Sequence, residues 1–247
     1  SPLPQAQARR RLLMESALRG ALERRELHLV YQPRMSIDTF DLTGAEVQVR
    51  WDSPHYGTVR PEEVASLAEE AGISDEINRW SVEESCRQIA AWNERYDRHF
   101  FVANLLSNRQ LRDPNLVTLV QAAIERYRLP PESLQIEICE SSLIDAPEAV
   151  VTALNGLRRS GVRVGLDDFG TGHSSLGHIR RVPFDSMKLD RALMADLYTD
   201  PWAQGVTSAV LAMARAMKIR TVSDGVEDAA TVQMLQALGC EEIQGLY

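Results

Sequence analysis

The chain has 247 residues, 44% of them hydrophobic, with ordinary numbers of glycine and proline, which suffices to bury the core of one large domain and excludes a disordered chain. Its formal net charge of −8 at pH 7 argues against a surface for nucleic acid or anionic membrane, while leaving room for a local cationic pocket that takes a small phosphate ligand. Three cysteines, Cys86, Cys139 and Cys240, are odd in number and lack metal-ligand spacing, so they read as reduced packing residues of a cytoplasmic segment, and no apolar run reaches membrane-spanning length.

The arginine-rich opening, QARRRLLMESALRGALERREL, is compatible with a helix arriving from an upstream domain, although a solvated amphipathic helix is the plainer reading. Residues 1–14 are expected to be linker and 15–247 a single domain, excised from a longer chain. From there, short aliphatic or β-branched runs alternate with amphipathic stretches. LHLVYQ and AEVQVRW read as strands joined by only PRMSIDTFDLTG; PEEVASLAEEAG and EINRWSVEESCRQIAAWNERY follow as helices. HFFVANLL (strand), NLVTLVQAAIERYRL (helix), LQIEIC (strand) and APEAVVTALNGLRRSG (helix) come next. The last third alternates RVGLDD, SMKLD, IRTVSDG and EEIQG as strands with WAQGVTSAVLAMARAMK and AATVQMLQALG as helices. Several of the helices end at glycine, as helix C-termini prefer.

Eight strands alternating with helices in this length indicate an α/β protein, a TIM-like (β/α)8 barrel rather than an open doubly wound sheet; no G-x-G-x-x-G follows a strand. The connection between the first two strands is too short for a helical crossover, so they pair as a hairpin and one barrel strand runs antiparallel. In such a barrel the loops at the C-terminal strand ends build the site. Glu46, Glu137, Asp167, Lys188 and Asp224 stand near those ends, with Gln244 after the last, and so converge on one mouth. Carboxylates crowded together repel unless protons or cations lie between them. Oxygen-only donors favour Mg²⁺ or Mn²⁺ over Zn²⁺, and a doublet such as Asp167 and Asp168 can help hold two ions about 4 Å apart for phosphodiester hydrolysis.

Taken singly, each feature has a blander reading. An Asp-Asp pair at a strand end is more often a cap or turn, Lys188 a surface charge, and Glu46 an outward residue of an alternating strand. DFG in DFGTGHSS lacks the glycine-rich and catalytic loops that accompany it in protein kinases. Only their joint occurrence at equivalent strand ends points to chemistry.

These residues carry a resemblance. The segments LHLVYQP, GAEVQVRW, LQIEICES, VGLDDFGTGHSSLGHIRRVPFDSMKLD, SDGVE and LGCEEIQG, spread over nearly the whole chain, resemble the EAL domain, the bacterial cyclic di-GMP phosphodiesterase module. The resemblance implies a TIM-like barrel that linearises cyclic di-GMP to pGpG with two Mg²⁺ or Mn²⁺ ions. By position it makes Glu46, Glu137, Asp167 and Asp168 metal ligands, with Asp224 organising the second ion. Lys188, assisting the nucleophilic water, and Glu227 become candidate catalytic groups. Arg50 meets a phosphate, Gln32 and Gln244 lie around the ligand, and Glu140 steadies the loop after the Asp pair. It further implies a homodimer formed through the region after DDFGTG, and attached sensory or cyclase domains.

Three positions depart from the family pattern. The naming motif reads Glu46, Val47, Gln48 instead of E-A-L, and Asp224 begins D-G-V-E where the family has E-G-V-E. Most consequentially, FVANLLSNRQL places Leu105 where the family has an asparagine metal ligand, with Asn104 one residue early. Successive strand residues face opposite ways, so Asn104 replaces it only if a bulge shifts the register. The expectation is therefore a domain that binds cyclic di-GMP with weak or lost hydrolysis; the alternatives are an active Mg²⁺- or Mn²⁺-dependent phosphodiesterase and an interaction scaffold that has lost the nucleotide.

Overall fold

A computed structural model describes residues 2–143, 147–170, 176–194, 197 and 199–245. Helix α1 (Pro2–Leu18) leads into β1 (Leu27–Ser36), β2 (Leu42–Ser53) and the short β3 (Gly57–Val59). Helices α2 (Pro61–Ala71) and α3 (Ser74–Tyr96) then precede β4 (Phe101–Leu105), α4 (Leu116–Arg126) and β5 (Leu134–Cys139). The remainder is α5 (Glu148–Arg159), β6 (Arg163–Phe169), α6 (Leu176–Ile179), β7 (Ser186–Leu189), α7 (Pro201–Ala216), β8 (Arg220–Val226), α8 (Ala229–Leu238) and β9 (Glu242–Gly245).

Local chemistry explains the helix ends. Pro61 fixes the first turn of α2, Glu62 and Glu63 face its positive end, and Gly72 closes it in the left-handed region at φ 70°. The side chain of Asp228 accepts from the Thr231 amide at 2.8 Å to cap α8, which Gly239 terminates at φ 82°. Asp200 caps α7 by accepting from the Trp202 amide at 2.8 Å.

The sheet runs β1-β9-β8-β7-β6-β5-β4-β2-β3 and is closed by β1 against β2, so eight strands form a barrel and β3 extends β2 outside it. β1 is antiparallel to both of its barrel neighbours, β2 and β9, while β2 and β4 through β9 are mutually parallel, which is the modified barrel expected from the short first connection. The sequence pattern gave no sign of β3, whose three residues are too few to show a period of two. The main apolar core lies between the strands and the outer helices, with Val102, Ile136, Val164 and Met187 fully buried. A second cluster joins Met14 and Leu18 of α1 to Trp51, Val64 and Leu67, so α1 runs unbroken past residue 14 and packs on α2. Cys86 and Cys240 are buried, Cys139 is half-buried, and all three are free thiols. Among the described residues no helix is long and apolar enough to cross a membrane. The segment to which self-association is assigned by the resemblance, the region after DDFGTG, opens with residues 173–175, which lie outside the described residues.

Inside the barrel the filling is polar, and one glycine makes room for it. A Cβ on Gly165 of β6 would come within 2.8 Å of Ser186 Oγ, 2.9 Å of Gln135 Nε2 and 3.1 Å of Glu137 Cγ. Overpacking a filled interior costs about 1–3 kcal/mol. Gly165→Ala should therefore lower the thermal midpoint by several degrees in calorimetry; an unchanged midpoint would show that Gln135 and Glu137 yield freely.

Candidate functional site

The parallel strands deliver Glu46, Glu137, Asp167 and Lys188 to one buried cluster. Lys188 Nζ lies 2.5 Å from Glu46 Oε2, 3.0 Å from Asp167 Oδ1 and 3.7 Å from Glu137 Oε2. The chain thus gathers three carboxylates from β2, β5 and β6 about one ammonium from β7.

Beneath them sits a residue that motif reading passes over. Arg34 of β1 has no exposed surface and donates from all three guanidinium nitrogens: Nε to Gln244 Oε1 at 2.7 Å, Nη1 to Glu137 Oε1 at 2.6 Å, and Nη2 to Glu137 Oε2 at 2.9 Å and Glu46 Oε2 at 3.0 Å. The pairing with Glu137 is bidentate, the geometry in which arginine binds a carboxylate best. Its signal was available: Arg34 follows Gln32 by two residues, and period two puts both on the same strand face. Gln135 is found by the same rule two residues before Glu137, and it donates to Glu137 Oε1 at 2.7 Å. Gln244, expected around the ligand, is buried and spends its amide inside the cluster, accepting from Arg34 and donating from Nε2 to Glu46 Oε2 at 2.8 Å.

The electrostatics follow from this packing. Burial alone would raise the Glu46 carboxyl, but Lys188 and Arg34 outweigh it and hold the group down at about 2. Glu137 is likewise lowered against its burial, by Arg34 and then Lys188. The Lys188 ammonium is held protonated: burial works against the charge, and Glu137, Glu46 and Asp167 overcome it. Asp167 goes the other way, up to about 7, because burial exceeds the pull of Lys188 and Glu137, Glu46 and Asp168 repel its charge. Burial also raises Asp224 and pushes the Cys139 thiol up to about 12, which leaves that thiol unreactive.

Irregular backbone places the Asp pair. Between Leu166 and Phe169 the β6 register gains one residue on β7, a bulge that falls on Asp167 and Asp168, and Asp168 adopts φ 56°. The Asp168 amide donates to Asp167 Oδ1 at 2.7 Å, and Cys139 Sγ lies 3.6 Å from Asp168 Oδ2. A second bulge falls on Asp224 and Gly225, where β8 gains one residue on β9 and Gly225 takes φ 71°. Glu140 accepts from the Gly170 amide at 2.9 Å, tying the end of β5 to the start of the segment after the Asp pair.

β4 has no such bulge: it pairs in continuous register with β2 and β5, and Leu105 lies opposite Glu137. Asn104 consequently turns to α3, where its Oδ1 accepts from Ser81 at 3.1 Å and its Nδ2 donates to Ser85 at 2.9 Å. It is 3% exposed, whereas Leu105 is 41% exposed; both line, with Glu46, Gln48 and Ser141, a cavity of 520 Å³. Gln48 donates to Gln32 Oε1 at 3.0 Å across the hairpin. Arg50 Nε is buried and has no hydrogen-bond partner among the described residues. Glu227 stands apart from the cluster, exposed and 3.7 Å from Arg191.

The donors are carboxylate oxygens, the right chemistry for a hard divalent cation. Their arrangement does not fit one. Both oxygens of Glu137 and Oε2 of Glu46 are engaged by Arg34, Lys188 and Gln244, and among the described residues no three His, Cys, Asp or Glu side chains are gathered as a metal-binding group.

The cluster carries its own pH signature in chelated protein. The folded chain keeps the Asp167 proton up to about pH 7, whereas the unfolded chain releases it near 3.8, so this group's stabilisation is complete below 3.8 and disappears as the pH climbs through 7. Glu46 acts oppositely, contributing above 4.5 and losing its contribution as the pH falls towards 2. With chelator present, Asp167→Asn should flatten the decline in thermal midpoint between pH 4 and pH 7; an unaltered slope would place the proton elsewhere.

Comparison with known proteins places this geometry. The EAL domain family model matches residues 15–247. The bifunctional diguanylate cyclase/cyclic di-GMP phosphodiesterase MucR of Pseudomonas aeruginosa is 35% identical over 240 residues, covering 97% of this chain and 35% of that protein. A solved MucR phosphodiesterase in complex with c-di-GMP superimposes with a TM-score of 0.88 at 35% identity, covering 93% of each chain. The FimX EAL domain from Pseudomonas aeruginosa bound to c-di-GMP gives 0.85 at 26% identity, covering 94% of this chain and 93% of that one. The chain spans about a third of the length of the curated relatives it matches. A barrel with one antiparallel strand, acidic groups gathered from its parallel strands and a match over residues 15–247 together establish that this chain belongs to the EAL domain family.

Proposed function

We propose that the mouth of this barrel binds cyclic di-GMP and hydrolyses it weakly or not at all, so that the domain acts as a receptor or regulatory module in bacterial signalling. Relatives of known function support the ligand: MucR and FimX are solved with c-di-GMP bound in barrels of the same shape. Arg50 supports it from this chain, since a buried guanidinium nitrogen without a partner is costly unless a ligand satisfies it, and a phosphate oxygen does so well.

The observation that carries impaired hydrolysis is the straight run of β4. Continuous register leaves a hydrocarbon at position 105 opposite Glu137 and commits Asn104 to Ser81 and Ser85, so no neutral oxygen donor enters from this strand. Asp224, one methylene shorter than glutamate, and Gln48, tied to Gln32, add to that loss. Catalysis is sensitive to displacements of about 1 Å. A second reading, a phosphodiesterase that uses Mg²⁺ or Mn²⁺ to make pGpG, draws on the convergence of Glu46, Glu137, Asp167 and Lys188 and on the bulge that presents Asp167 and Asp168.

Calorimetry with Ca²⁺ present should show cyclic di-GMP binding that Arg50→Ala weakens at least tenfold, and chromatography with Mg²⁺ or Mn²⁺ should show negligible pGpG. Turnover matching an active relative overturns the impaired reading, and absence of nucleotide binding overturns both. Leu105→Asn combined with Asp224→Glu should raise turnover above the parent chain; no gain would remove position 105 as the defect.

A further inference from the structure

Arg34 is a permanent cation in the place where the EAL reading puts metal ligands. Its guanidinium does not lose its charge in a protein, unlike an ammonium, whose proton a neighbouring base can take. It is also fixed: it has no exposed surface, and its four hydrogen bonds reach β2, β5 and β9 from β1. Both Glu137 oxygens are spent on it, and Oε1 accepts from Gln135 as well. A dication seeking Glu137 would have to displace two charge-assisted hydrogen bonds and settle beside a like charge that has no route to solvent.

We propose that Arg34 is a resident substitute for a divalent cation: a positioning residue that holds Glu137 and Glu46 from beneath and keeps the affinity of this barrel for metal low. The inference rests on the reading of the mouth as an EAL nucleotide site and supplies a cause for weak hydrolysis independent of Leu105. Lys188 does not share this role to the same degree, because it contacts Glu137 only at 3.7 Å and leaves that carboxylate to the arginine.

The test is Mn²⁺ titration of the whole chain, with free Mn²⁺ read by electron paramagnetic resonance and no nucleotide present. Arg34→Gln should bind Mn²⁺ at least tenfold more tightly than the parent, Arg34→Lys should stay near the parent, and adding Glu137→Gln to Arg34→Gln should remove the gain. Equal or weaker binding by Arg34→Gln, or a gain that survives loss of the Glu137 charge, overturns the proposal. If Arg34→Gln is unfolded without metal, recovery of its folded circular-dichroism spectrum on adding Mn²⁺ supports the proposal, and failure to recover overturns it. Cyclic di-GMP binding by the parent chain with Ca²⁺ present, measured by calorimetry, judges the nucleotide reading separately: its absence removes that reading while the Mn²⁺ comparison still decides the role of Arg34.

Discussion

A guanidinium held between two buried glutamates organises the interior of this barrel. Burying like-charged carboxylates is prohibitive without opposite charge in contact, because desolvation is large and the low-dielectric interior magnifies repulsion as well as attraction. Arg34 and Lys188 provide that charge, one from the antiparallel strand and one from a parallel strand, and the carboxylates they meet come from three others. Gln135 and Gln244 fill the remaining hydrogen-bonding positions, so the network reaches across the barrel. Removing one member leaves the others buried and uncompensated, which makes the polar interior a single cooperative unit.

That unit also sets how the mouth divides its labour. Glu46 and Glu137 are committed to cations and stay ionised, while Asp167, packed among them with less compensation, holds a proton into the neutral range. The same carboxylate chemistry thus takes two states within one site, set by neighbours and burial and not by residue type. Above this layer the surfaces change character: Leu105 offers hydrocarbon, Gln48 and Gln32 a paired amide, and Arg50 an unsatisfied donor.

Much of this was legible in the order of residues. The alternation of apolar runs and amphipathic stretches identified every barrel strand, and the short link between the first two identified the reversed one. Glu46, Glu137, Asp167 and Lys188 could be gathered at one mouth because barrel strands share a direction. What escaped is what period and motif do not encode. Arg34 stands two residues before the end of β1, and because that strand runs the opposite way its end lies away from the C-terminal ends of the parallel strands. The bulges at Asp167–Asp168 and Asp224–Gly225 are departures from the two-residue period itself, visible only once neighbouring strands are paired. Glu227 follows β8 in the chain and so looks adjacent to Asp224, yet it stands exposed beside Arg191.

The hairpin of β1 and β2 has its own irregularity, a shift between Arg34 and Met35 where Gly44 and then Leu42 are the partners. Strand pairing makes side-chain direction a matter of parity, so this kink acts as a gauge for the whole interior. Slipping the hairpin by a single step would present Pro33 inward and turn the guanidinium out among the helices, leaving Glu46 and Glu137 with Lys188 as their one buried cation and a net negative charge at the centre of the molecule. The length of a surface turn, free of any recognisable motif, thereby governs the charge balance of the lumen.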